Sequence, residues 1–178
     1  MPKILRDDHI ADAEYADSSE PSDWDLYAGR RMKRKPPEIT IRCESPLTDY
    51  LQVGDLHIVS PKLRELMEEA RANVQYLDLP VVHKGRTHKG YAYLNFLDVI
   101  DCLDRRRSVI VPGVFPDGDI KRLVLKHHTI GKSPLFVIEN ALLVGVSDDL
   151  AAAIEESNCT GLLLEAPDDW RNPVLGYK

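Results

Sequence analysis

The apolar positions change period along the chain, and each change predicts an element. Residues 38–43 alternate, with Ile39 and Ile41 on one face, which predicts a strand. Residues 55–59 predict a second, short one. Ser60-Pro61 then opens a helix. Serine is a favoured N-cap, and proline at the first helical position gives up an N–H that has no partner there. In PKLRELMEEARA, Leu63, Leu66, Met67 and Ala70 fall at i, i+3, i+4 and i+7, a single apolar stripe with the glutamates outside it. Residues 74–83 read as a strand whose Pro80 marks an edge or a bulge. A polar loop, 84–90, and a returning strand, 91–96, complete a long hairpin.

The second half repeats this grammar. Residues 97–103 predict a helical turn, 108–111 a short β-branched strand, and 121–130 a strand that turns at 131–134 and pairs with 135–139. After a tight Glu139-Asn140 connection, 141–146 form a strand. Ser147 caps a second helix, 148–157, and 162–165 form a last strand. The expectation is an α+β fold: a mixed or antiparallel sheet with two amphipathic helices. IVSPKLRELMEE (58–69) and GVSDDLAAAIEE (145–156) align without gaps at an offset of 87. Both are strand, serine cap and amphipathic helix, and both lead to another strand. Two explanations stand: any capped amphipathic helix looks alike, or two similar β-α-β units pack on one sheet.

Composition sets the class without naming a chemistry. With 178 residues, 43% hydrophobic and 29% charged, the chain suits one globular domain with an arm. No apolar run approaches the ~20 residues of a membrane helix, and the first twenty residues lack the apolar centre of a signal peptide. A cytoplasmic location is therefore expected. Cys43, Cys102 and Cys159 form no CxxC pair and read as small buried hydrophobes in a reducing compartment.

Charge is uneven. Residues 1–29 carry eight acids and two bases, and RRMKRK (30–35) carries five bases. The domain expectation follows: residues 1–36 form an acidic-then-basic, partly flexible N-terminal arm, and 37–178 a single domain. The overall −6 repels phosphate backbones and attracts a basic partner.

Candidate chemistry is sparse. No phosphate loop, dinucleotide fingerprint, nucleophile elbow, zincin or EF-hand pattern is present. His127 and His128 are adjacent on the expected strand and so face opposite ways, which argues against a shared metal with His83 and His88. Asp98, Asp101 and Asp104, with Asn95 before them, stand at spacing three. On a helix they form a carboxylate ridge for a divalent cation or acid–base work. The plainer reading is capping and a solvated face beside Arg105–Arg107. Those arginines with Lys84, Arg86 and Lys89 make a candidate nucleic-acid patch, but no aromatic stacking pattern accompanies it. Trp24 and Trp170 lie in acid-flanked segments. Trp170 reads first as a lid over the core and second as an interface anchor.

The ordered set VSPKLRELMEEA, YAYLNFLDVIDCLDRRRS and LVGVSDDLAAAI, followed by Thr160-Gly161-Leu162 and a closing Trp170, resembles a known family. It is that of bacterial immunity proteins from polymorphic toxin systems, the myxobacterial-type immunity domain formerly classed as a domain of unknown function. The resemblance covers residues 46–171. It implies a protein without enzymatic activity or cofactor that binds a cognate secreted toxin, encoded by the adjacent gene, and protects the producing cell in bacterial competition. Asn95, Asp98, Asp101 and Asp104 match the family pattern without a known role, and the arm has no counterpart. No contact residues carry over. On physical grounds alone the candidate partner surface is Asp148, Asp149, Glu155, Glu156, Asp168 and Asp169, with Trp170 as anchor. The rival readings are a divalent-cation-dependent enzyme or ligand-binding domain using the aspartate ridge, and a nucleic-acid-associated protein.

Overall fold

A computed structural model describes residues 1–8, 13–15, 28–33, 39–41, 46–53, 56–112, 119–141 and 143–170. The chain opens with β1 (Lys3–Asp7) and β2 (Ala13–Tyr15). Next come β3 (Ile39–Ile41) and a hairpin of β4 (Tyr50–Val53) and β5 (Leu56–Val59), which leads into α1 (Pro61–Glu69). Four strands follow: β6 (Val74–Asp78), β7 (Val81–His83), β8 (Arg86–His88) and β9 (Ala92–Phe96). β10 (Val99–Ile100), β11 (Val109–Val111) and β12 (Asp119–Arg122) precede a single helical turn, α2 (His127–Ile130). The described chain closes with β13 (Leu135–Ile138), β14 (Leu143–Val146), α3 (Asp148–Glu156) and β15 (Leu162–Glu165).

The offset of 87 is structural. α1 and α3 each span nine residues. Each is capped by a serine whose side chain accepts the N–H three residues on, Leu63 to Ser60 and Leu150 to Ser147. Each is followed by a residue at positive φ, Arg71 at 59° and Asn158 at 52°. The strands agree as well. β5 and β6 both run antiparallel to β9, which lies between them in the order β4-β5-β9-β6. β14 and β15 both run antiparallel to β1, which lies between them in the order β10-β13-β14-β1-β15. Each unit is therefore a β-α-β crossover split by a third strand. That strand follows the crossover in the first unit and precedes it in the second. The units occupy two sheets rather than the one expected.

This split relocates the chain's beginning. Lys3–Asp7, read as arm, is an interior strand, with Ile4 fully buried and Leu5 4% exposed. β2 pairs with β3, which runs parallel to β7 in a further sheet of order β2-β3-β7-β8. Residues 9–12 and 16–27, Trp24 among them, lie outside the described residues, as do Arg34, Lys35 and Cys43.

Other expectations change as well, among them the polar loop 84–90, whose residues Arg86–His88 form β8 against β7. β4 was not anticipated, although Gly54-Asp55 between two apolar runs is a hairpin signal. The 74–83 strand breaks at Leu79-Pro80 into β6 and β7, because proline cannot donate to a continuing ladder. Residues 121–130 are not one strand: β12 ends at Arg122, and His127 and His128 sit side by side on the turn α2, both exposed.

Three apolar clusters follow from period-two burial on both sheet faces. In β13, Leu135 and Val137 enter the cluster beneath α1 and α3, which also holds Leu63, Met67, Leu150 and Ile154. Phe136 and Ile138 enter the opposite cluster, with Ile4, Cys102 and Trp170. A third cluster, including Leu51, Ile58 and Tyr93, backs the first unit's sheet. In β14, Gly145 pairs with Phe136, and a Cβ there would lie 2.3 Å from the ring. Only glycine lets the ring cross the strand.

Candidate partner-binding site

The aspartate segment forms no ridge. Residues 97–104 hold the two-residue β10 and otherwise irregular backbone, so spacing three does not align the carboxylates. Each is engaged separately. Asp98 accepts hydrogen bonds from Asn73 Nδ2 at 2.6 Å and Ser133 Oγ at 2.5 Å, tying the ends of β6 and β13 together. Asp101 meets Lys126 Nζ at 3.4 Å. Asp104 Oδ1 accepts the backbone N–H groups of Arg106 and Arg107, both at 3.1 Å, and so shapes the arginine turn. Asn95, fully buried on β9, donates to the Arg30 carbonyl and to Gln75 Oε1, both at 2.9 Å. Gln75 in turn donates to the Met32 carbonyl and accepts its N–H. The family-matching residues thus hold connections to the sheets. Ser108, from the same set, does likewise: its hydroxyl accepts the N–H of Val124 at 3.0 Å.

The other candidates are scattered. Rings of His83 and His88 lie 6.0 Å apart on the β7–β8 hairpin, and His127 and His128 belong to another element. Among the described residues, no three His, Cys, Asp or Glu side chains gather closely enough to hold a metal ion. Burial pushes the Cys102 thiol up to about 11, consistent with an inert core position. His57 is buried on β5, its Nδ1 hydrogen-bonded to the Tyr50 hydroxyl and its ring edge-on to Phe96. Burial pushes it down to about 4, so it is neutral at pH 7.

The acidic candidates divide. Asp148 and Asp149 occupy the first turn of α3, at the positive end of its dipole, and Glu155 and Glu156 its last turn. Asp168 and Asp169 are exposed on a turn after β15. Trp170 beside them is 3% exposed and packs on the sheet face opposite α3. Its ring is a lid and has no surface left for a partner, which removes it as an anchor.

The structure adds α1 to the α3 side. The two helices pack together, with Lys62 Nζ at the amino end of α1 reaching the Asn158 carbonyl beyond the carboxyl end of α3, at 3.2 Å. At the opposite ends, Glu69 of α1 lines a cleft of about 690 Å³ together with Asp148 and Asp149 of α3. The pair is thus antiparallel. His127 and Ile130 of α2, and Lys132 just after it, also line the cleft. At the amino end of α1 the Ser60 hydroxyl donates to Asp49 Oδ1 at 2.7 Å, and Thr160 binds the same carboxylate. Glu69 was missed in the sequence because the antiparallel pairing of the helices is a tertiary fact.

The Imm11 immunity protein family model matches residues 6–168. The chain belongs to the Imm11 immunity protein family. The match takes in both split units and reaches forty residues upstream of position 46, where the sequence resemblance began. It includes part of β1 and all of β2, in accord with their places in the sheets. The chain has no significant match among curated proteins. No helix among the described residues is long and apolar enough to cross a membrane.

Proposed function

We propose that this immunity-family chain binds a cognate secreted bacterial toxin and neutralises it by occlusion, without catalysis, in the cytoplasm of the producing cell. The family match over residues 6–168 carries the reading. The structural roles of the chemistry-bearing residues support it: Asp98, Asp101, Asp104 and Asn95 are each engaged in holding the scaffold. A scaffold held by such contacts suits a protein that presents a preformed surface, because little ordering entropy is then lost on binding. The net charge of −6 speeds encounter with a basic toxin.

The toxin is expected from the adjacent gene. Growth of cells expressing that gene alone and together with this chain tests the reading. Arrest by the first and rescue by the second, with a complex on co-purification, is the expected result. Unharmed cells in the first case, or no complex, would overturn it.

A further inference from the structure

The cleft at the α1–α3 crossing, of about 690 Å³, has room for several large side chains of a partner segment and a polarity of its own. Its helical wall carries Glu69 and Asp149, both exposed and without a hydrogen-bond or ion-pair partner among the described residues, and Asp148, which pairs with the amino group of Met1. Asp148 and Asp149 stabilise α3 by their place at its positive end. Glu69 has no such explanation. It lies in the last turn of α1, at the negative end of the dipole, and that turn contains no basic residue. Its carboxylate is locally unfavourable there and adds to the charge of α3. A cation entering from outside would relieve both effects.

Between these carboxylates the wall is apolar, formed by Leu66, Ala70 and Ala153. An apolar floor with acids at its edge fits an arginine or a lysine, whose hydrocarbon stem packs while its head pairs with carboxylate. Lys132 also lines the cleft and disfavours a partner segment that is cationic throughout.

We propose that the toxin docks at this cleft and inserts an arginine or lysine side chain between α1 and α3, against Glu69 and Asp149. The proposal rests on the reading of the chain as a toxin-binding immunity protein. Its test is calorimetric titration of the full chain with the catalytically inactivated toxin of the growth assay, at low and moderate salt. The double variant Glu69→Lys/Asp149→Lys is expected to lose roughly tenfold or more in affinity and to show a weaker salt dependence. Ala153→Trp, which narrows the cleft without changing charge, is expected to lose affinity at both salt concentrations. Glu139→Lys, exposed after β13 and outside the lining of the cleft, is expected to stay within about twofold of the unmodified chain. Thermal unfolding of each variant confirms an intact fold. Normal binding by the Glu69/Asp149 and Ala153 variants would overturn this docking site and leave the immunity reading standing. No binding by the unmodified chain would overturn both.

Discussion

Asp49 and Thr160, 111 positions apart, hold each other by three hydrogen bonds. The Asp49 carboxylate accepts the Thr160 N–H at 2.9 Å and its hydroxyl at 3.1 Å, and the Asp49 N–H donates to the Thr160 hydroxyl oxygen at 3.2 Å. Asp49 also accepts from Ser60, the cap of α1. One carboxylate therefore joins the helix start of the first unit to the segment after the helix of the second. Gly161 permits the approach: at φ +84°, a Cβ there would lie 2.3 Å from the Tyr50 carbonyl oxygen. Partial burial works to raise the Asp49 carboxyl, but hydrogen bonds from Ser60 and Thr160, with Lys62 nearby, outweigh it and hold it below the usual carboxylate range.

Breaking this junction is expected to loosen the units together. Asp49→Ala should cost about 1–3 kcal/mol and Thr160→Val about 1 kcal/mol in urea unfolding. The double variant should cost less than the two added, because the residues share bonds. Additive losses would show that the two sites act independently.

Lowering the pH is expected to destabilise the chain through His57. Its folded value of about 4 lies below the ordinary 6.5, so the unfolded state binds the extra proton. That contribution is unaffected above pH 6.5 and is lost between 6.5 and about 4. The integrated loss is on the order of 3 kcal/mol. His57→Gln should flatten the profile in that window, although its stability at pH 7 also falls. Asp49, with its depressed value, weakens the fold in the same direction at lower pH.

Gly145→Ala should destabilise by about 1–3 kcal/mol, because the new methyl meets the Phe136 ring. Phe136→Leu in the same chain should recover part of the loss. Equal stability of Gly145→Ala and the unmodified chain in denaturant melts would contradict the packing described.

Leu5→Ala should cost about 2–5 kcal/mol, as expected for a buried interior-strand leucine and not for an arm. Thermal melts followed by circular dichroism would show the difference.

Titration with magnesium, calcium or manganese should give no specific heat, since Asp98, Asp101 and Asp104 face different local partners. Saturable binding lost in Asp98→Asn would restore the cation reading.

Much of this molecule was legible from local pattern. The capping serines, the apolar stripes Leu63/Met67 and Leu150/Ile154, and the offset of 87 are short-range properties, set by helix period and cap chemistry within a few residues. The family resemblance was legible too, through the order of those motifs. Other features were decided by the tertiary structure. Lys3–Asp7 is a strand because β14 and β15 leave a gap with the hydrogen-bonding edges it completes, a condition that no window around residue 5 contains. Asp98, Asp101 and Asp104 look like a ridge only if the backbone is helical; pairing of Val99–Ile100 with β13 extends it instead and sends each carboxylate to its own partner. Glu69 and Asp149 line one cleft because two helices 87 residues apart pack antiparallel over one core, and contact between distant segments is set by burial of their shared faces, which local periodicity does not encode.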